Sequence, residues 1–142
     1  MDKITRLIQK FRHIRYAEFY NPCSPETLEE YKNLLVDSGH AWTDELTKLY
    51  HTTNGFFYNG IYVFTLRSAE TNEDYDILVQ NVKWDISDRL PGCVLFGRSD
   101  EEVYVFNSEL NAYQILDITG WDEYYTFNTL DQLLEFVVNE RI

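Results

Sequence analysis

The stretch Thr53-Asn54-Gly55-Phe56-Phe57 limits the possible folds more than any other part of this 142-residue chain. Upstream, Trp42-Thr43-Asp44-Glu45-Leu46-Thr47-Lys48-Leu49-Tyr50 reads as a short acidic helix from Asp44 to Thr52, with Thr43 as its cap. Downstream, Ile61-Tyr62-Val63-Phe64-Thr65-Leu66 is rich in β-branched and aromatic residues and reads as a strand. Asn and Gly tolerate the left-handed backbone that ends a helix, so Asn54-Gly55 stops one element and turns the chain into the next.

The remaining elements alternate in a recognisable order. Ile4, Leu7, Ile8, Phe11 and Ile14 follow helical spacing and predict an amphipathic helix over 3–15 with Lys3, Arg6, Lys10 and Arg12 on its other faces. The expected packing sets its apolar side on the domain and its basic side against acidic groups; the other uses of such a helix are a membrane surface or an acidic partner. Ser24 and Pro25 open a helix that runs to Asp37 and stops at Ser38-Gly39. Thr71-Asn72-Glu73-Asp74 predicts the start of a helix carrying Tyr75, Leu78 and Val82. Three strands follow, Cys93 to Arg98, Glu102 to Asn107 and Ala112 to Ile118, spaced as an antiparallel meander. Tyr124 to Phe127 reads as one more short strand, and Asn128 as the cap of a last helix whose buried stripe is Leu130, Leu133, Leu134, Val137 and Val138. This order predicts a single α+β domain over 1–142. A central antiparallel sheet of about four to six strands would carry helices from both chain ends, and its second face would be partly open.

Charge narrows the partners. The net charge is −12, and it is uneven: residues 1–15 carry five Lys/Arg against one Asp, whereas residues 66–142 carry five Lys/Arg against sixteen acids. An acidic body disfavours nucleic acid, whose phosphates demand Lys and Arg. It suits a basic protein partner, and it also suits solubility alone. No apolar run reaches the roughly 18 residues of a membrane span, and the N-terminus lacks the layout of a signal peptide. Cys23 and Cys93 are far apart, without metal or redox spacing, so the expected setting is cytoplasmic with reduced thiols.

No reactive constellation emerges from the residues. His13, His40 and His51 fall on separate elements, with His40 expected at the surface after Gly39 and His51 at a helix end. Neither cysteine sits in a nucleophile motif, and the six glycines are scattered at turns rather than grouped to cradle phosphate. The expectation is no catalytic residue, no metal and no cofactor. The eleven tyrosines belong mostly to core and sheet packing, with some free to serve an interface.

Taken in order, these motifs resemble the SUKH superfamily, which includes Smi/Knr-type cell-wall regulators and bacterial immunity proteins. The resemblance covers most of the chain beyond residue 25. It rests on Thr53-Asn54-Gly55 closing a helix, the strand at Ile61 to Leu66, and Val94-Leu95-Phe96-Gly97 as an apolar strand ending in Gly. The strand pair Glu102 to Asn107 and Tyr113 to Ile118, then Trp121 and the Phe127 to Phe136 segment, complete it. The spacing from Leu95-Phe96-Gly97 to Val103-Tyr104-Val105-Phe106 is most similar to the YrhA-like branch. The chain has Ala41-Trp42-Thr43-Asp44 where the family often opens its helix with Leu-Pro.

The resemblance implies a non-enzymatic immunity protein that binds and neutralises a cognate toxin domain, often a nuclease. The alternative it allows is a protein-binding scaffold or signalling adaptor, whose relatives carry disordered flanks. It implies structural roles for Asn54, Gly55, Gly97 and Trp121. A monomer or weak homodimer is expected. The acidic turns are the expected docking points for a basic toxin: Glu70, Glu73, Asp74 and Asp76; Asp100, Glu101 and Glu102; and Asp122 and Glu123.

Overall fold

The computed structural model describes residues 2–142. Ile4, Leu7, Ile8 and Phe11 are buried along one side of α1 (Lys3–Phe11), capped by the Asp2 carboxylate, which accepts from the Thr5 N–H at 2.8 Å. The helix is shorter than the expected 3–15, because the chain turns at residues 12–15 into Tyr16, whose φ of 70° no right-handed helix accommodates. After β1 (Glu18–Phe19), Ser24 caps α2 (Pro25–Asp37), and Thr43 caps α3 (Asp44–Thr52) with a 3.1 Å bond from the Leu46 N–H.

The strand expected at Ile61–Leu66 forms over Ile61–Val63 only, and as the second arm of a hairpin. β2 (Phe56–Tyr58) turns at Asn59 and Gly60, both at positive φ, into β3 (Ile61–Val63). Positive φ at two consecutive residues is the two-residue hairpin turn that Asn-Gly favours. The second Asn-Gly pair of the chain makes a hairpin, whereas the first makes a helix stop.

A 3₁₀ turn (Glu73–Tyr75) precedes α4 (Ile77–Lys83), which starts later than expected because Asp76 caps it, accepting from the Leu78 and Val79 N–H groups at 2.8 and 3.2 Å. The short α5 (Ile86–Arg89) leads to the meander β4 (Cys93–Arg98), β5 (Glu102–Asn107) and β6 (Ala112–Asp117), extended by β7 (Glu123–Phe127). The expected cap from Asn128 on α6 (Leu130–Asn139) is not made. Thr129 is the cap residue without a side-chain bond, and Glu45 of α3 accepts from the Leu130 N–H at 3.0 Å. A carboxylate on a helix N-terminus also suits the dipole, so this contact ties α3 to α6.

The protein is a single α+β domain with one seven-stranded antiparallel sheet in the order β1 to β7. The sheet exceeds the expected four to six strands because β1 and β2 hold only two and three residues, too few to show a period of two. One face carries Phe56, Val63, Phe96, Tyr104 and Tyr113 and packs against the helices of both chain ends. The Phe11 ring meets Phe56 edge-on at 6.3 Å, and Phe136 of α6 lies 4.6 Å from Tyr125 and 5.4 Å from Phe127. The other face, expected to be partly open, buries Leu95, Val103, Val105 and Leu116, with α4 and α5 packed on β4.

Two buried asparagines close the sheet where strands run out. Leu66 donates its N–H to Asn54 Oδ1 and accepts from Asn54 Nδ2, both at 2.7 Å. Leu95 does the same with Asn81, at 2.9 and 2.8 Å. Each side-chain amide offers the donor and acceptor that a neighbouring strand residue would have offered. Asn54 therefore works through its side chain and not, as expected, through left-handed backbone; only Gly55 has positive φ, at 83°. Gly97 sits at a β-bulge of β4, where a Cβ would stand 2.7 Å from the Tyr62 carbonyl oxygen. Trp121 adopts a φ of 61° in the β6–β7 turn and meets Trp84 edge-on at 6.1 Å.

Burial also fixes the tyrosines. The hydroxyls of Tyr31, Tyr50, Tyr104 and Tyr113 are pushed well above the ordinary value of 10, desolvation being the largest cause in each case. The unfolded chain ionises these groups near pH 10 while the fold keeps them neutral. Their stabilising contribution is full below pH 10 and falls as pH rises above it. Alkaline unfolding that begins above pH 10 and releases these phenolates cooperatively is expected in an absorbance titration. Smooth titration of all eleven tyrosines without loss of the fold would contradict this burial.

Candidate interaction surface

Two of the three acidic turns meet at one end of the sheet. The β5–β6 hairpin puts Glu102 directly opposite Asp117. The Ile118 N–H donates to the Glu101 carbonyl at 3.0 Å, and the Asp117 N–H to the Asp122 carbonyl at 2.8 Å. Asp100, Glu101, Asp122 and Glu123 are exposed and Glu102 is half-buried. Their fields overlap on the exposed Tyr124, whose phenol is pushed up first by Asp117, then by desolvation, then by Glu102, Glu101 and Asp122. Burial raises Glu102 as well, with Arg141 opposing and Glu140 and Glu101 adding to the rise. The C-terminal turn reaches this end too, since the Arg141 carbonyl accepts from Asn59 Nδ2 at 2.9 Å and from the Tyr58 hydroxyl at 3.1 Å.

The third group does not join as a unit. Glu70 lies beside the β1 side of the sheet, accepting from the Asn21 N–H at 3.1 Å. Glu73 lines a separate hollow with Tyr31 and Arg67. Asp74 does approach the acidic end, sharing with Asp100 a hollow of about 470 Å³ also lined by Tyr62, Tyr75, Lys83 and Arg98. Asp76, expected at the docking surface, is instead only 8% exposed, accepts the Tyr31 hydroxyl bond and caps α4. A carboxylate with its oxygens engaged inside the fold is an anchor between α2 and α4, not a contact for a partner.

Asp117 and Glu140, not among the residues expected from the sequence, also belong to the acidic end. Asp117 carried a usable signal, because in a hairpin closed by Ser108–Asn111 it stands as far back from the loop as Glu102. Glu140 carried none, since only the packing of α6 brings it there. An aromatic run beside the acids was likewise not expected. Tyr62 and Tyr75 stack at 5.1 Å, Phe57 meets both, and the Arg98 guanidinium lies 5.3 Å over the Trp84 ring.

The groups expected to be inert have defined places. His40, expected at the surface, is buried, with Nδ1 3.2 Å from the Cys93 carbonyl oxygen, because the α2–α3 connection folds inward over β4. Burial pushes the Cys93 thiol up to about 11. His13 and His51 are exposed. The basic side of α1 shares a hollow with Asp131 and Glu135 of α6, so this helix packs on the domain as expected. Among the described residues, no helix is long and apolar enough to cross a membrane.

No protein-family model matches the chain, and no curated protein matches it.

Proposed function

We propose that this chain is a non-enzymatic binding module of SUKH type, an immunity protein that neutralises a toxin domain with a basic surface, such as a nuclease. The protein acts as a monomer or weak homodimer in the cytoplasm, without cofactor. The observation that supports the reading is the convergence of Glu101, Glu102, Asp117 and Asp122 at one end of the sheet. Carboxylates held there by backbone bonds present negative charge where a nuclease would receive phosphate. The turns can vary without disturbing the core, which suits matching to one toxin.

The test is co-expression with any toxin domain found encoded beside this chain. Growth should be rescued, and the purified pair should associate one to one, more slowly as salt screens exposed charge over about 8 Å. Asp100→Lys with Glu101→Lys should leave stability within about half a kcal/mol, since both side chains are exposed. The same reversal should slow association roughly tenfold at low salt. A soluble, folded protein that rescues growth from no linked toxin would overturn the proposal. Unchanged association after reversal at both turns would move the interface to the aromatic run beside Trp84.

A further inference from the structure

The two edges of the sheet are managed differently. β1 holds two residues, and an edge that short offers little to an incoming strand. β7 is five residues long, Glu123-Tyr124-Tyr125-Thr126-Phe127, and among the described residues no strand lies beyond it. It contains no Pro and no Lys, the usual devices for blunting an edge. Its bulge falls between Ile115 and Leu116 of the pairing, opposite the start of the strand, and leaves Tyr125 to Phe127 regular. Residues 123–126 are exposed, including Tyr124 at 51% and Tyr125 at 45%.

The flanks of this edge define what would fit it. On one face Tyr125, Phe127 and Phe136 form an aromatic cluster, beside an open hollow of about 620 Å³ lined in part by Phe127, Phe136, Glu135 and Glu140. On the other face Glu123 and Thr126 are polar and bonded to each other and to Gln114. An added strand would therefore set alternate side chains against the aromatic rings, with Glu135 and Glu140 at their margin, and against Glu123 and Thr126. A second copy of this chain fits poorly. Each copy carries a net charge of −12 and would bring its own Glu123, Glu135 and Glu140 to this edge.

We propose that β7 is the receiving edge for strand addition by an extended partner segment that alternates apolar and basic residues. Backbone hydrogen bonds would hold the segment, while the aromatic cluster and the acids select its side chains. The inference goes beyond the toxin reading, because it concerns how a partner's backbone is held, whatever activity the partner has.

The probe is a blocked peptide of ten residues alternating valine and lysine, added to the full chain at low micromolar protein. Hydrogen exchange followed by NMR should show the outward amides of β7 slowed at least about tenfold, with β1 unchanged. A peptide N-methylated at alternate amides along its pairing edge should lose this protection while keeping its charge. Alternating valine and glutamate should not bind. Tyr125→Ala should weaken binding while leaving the β4–β6 amides protected, which shows that the sheet itself survives. Equal binding by the N-methylated peptide, or protection away from β7, would overturn the proposal. Protection of β7 that grows with protein concentration without peptide would also overturn it, by making a second copy the occupant.

Discussion

Gly55→Val is expected to destabilise the fold by more than about 4 kcal/mol, a large part of the 5–15 kcal/mol typical of a domain. Two independent effects act at this position. Gly55 has a φ of 83°, where a β-branched residue is poorly accommodated. A Cβ built there would also lie 2.5 Å from the Val63 carbonyl oxygen and 2.7 Å from that of Phe64. Both atoms are backbone, and both belong to the segment that must stay against α3, because the Tyr50 hydroxyl donates to the Phe64 carbonyl at 2.6 Å. Conformational preference alone predicts a mild penalty for Gly55→Ala, roughly 1–2 kcal/mol. The close approach predicts that alanine is nearly as damaging as valine. Urea melts of both variants measure this, and Gly55→Ala melting close to the parent would refute the close approach.

Asn81→Leu is expected to cost about 2–5 kcal/mol although leucine has the same branched heavy-atom skeleton and suits a buried helix position. The loss comes from the strand and not from the helix. Asn81 is 1% exposed and supplies both partners of the Leu95 backbone, with a further bond from Nδ2 to the Ile77 carbonyl at 2.8 Å. Leucine would leave the Leu95 N–H and C=O buried and unpaired, and each such group costs about 1–3 kcal/mol. Hydrogen exchange separates this from general weakening. The Leu95 amide should exchange much faster under conditions where the β5–β6 ladder stays protected. Asn54→Leu should behave in the same way at the Leu66 amide. Parent-like stability of Asn81→Leu would show that the bonds to Leu95 contribute little.

Local signals in the sequence located most elements. Thr43 and Ser24 cap the helices assigned to them, because a cap is a contact between residues three apart. The β4–β6 meander was legible because six-residue strands are long enough to show their apolar character between polar turns. The short strands β1 and β2 were not, and the Asn59-Gly60 hairpin was hidden inside a longer apolar run. The α6 N-terminus was misplaced because its carboxylate partner, Glu45, comes from another helix, and no local pattern records a partner that distant.

Charge divides the same way. The order of residues is enough to mix helix with antiparallel sheet, to give α1 one apolar side to bury, and to crowd acids into the second half. Those properties depend on spacing along the chain, which the helix and strand periods convert directly into faces. Which acids act together depends on how distant segments pack. That packing gathered Glu101, Glu102, Asp117 and Asp122 at one sheet end, left Glu70 at the other side, and withdrew Asp76 into the interior as a helix cap. Asp76 and Asp74 are two residues apart and look alike as letters, yet one is buried and one is exposed. The difference lies in Tyr31, forty-five positions away, whose hydroxyl makes burial of the Asp76 carboxylate tolerable.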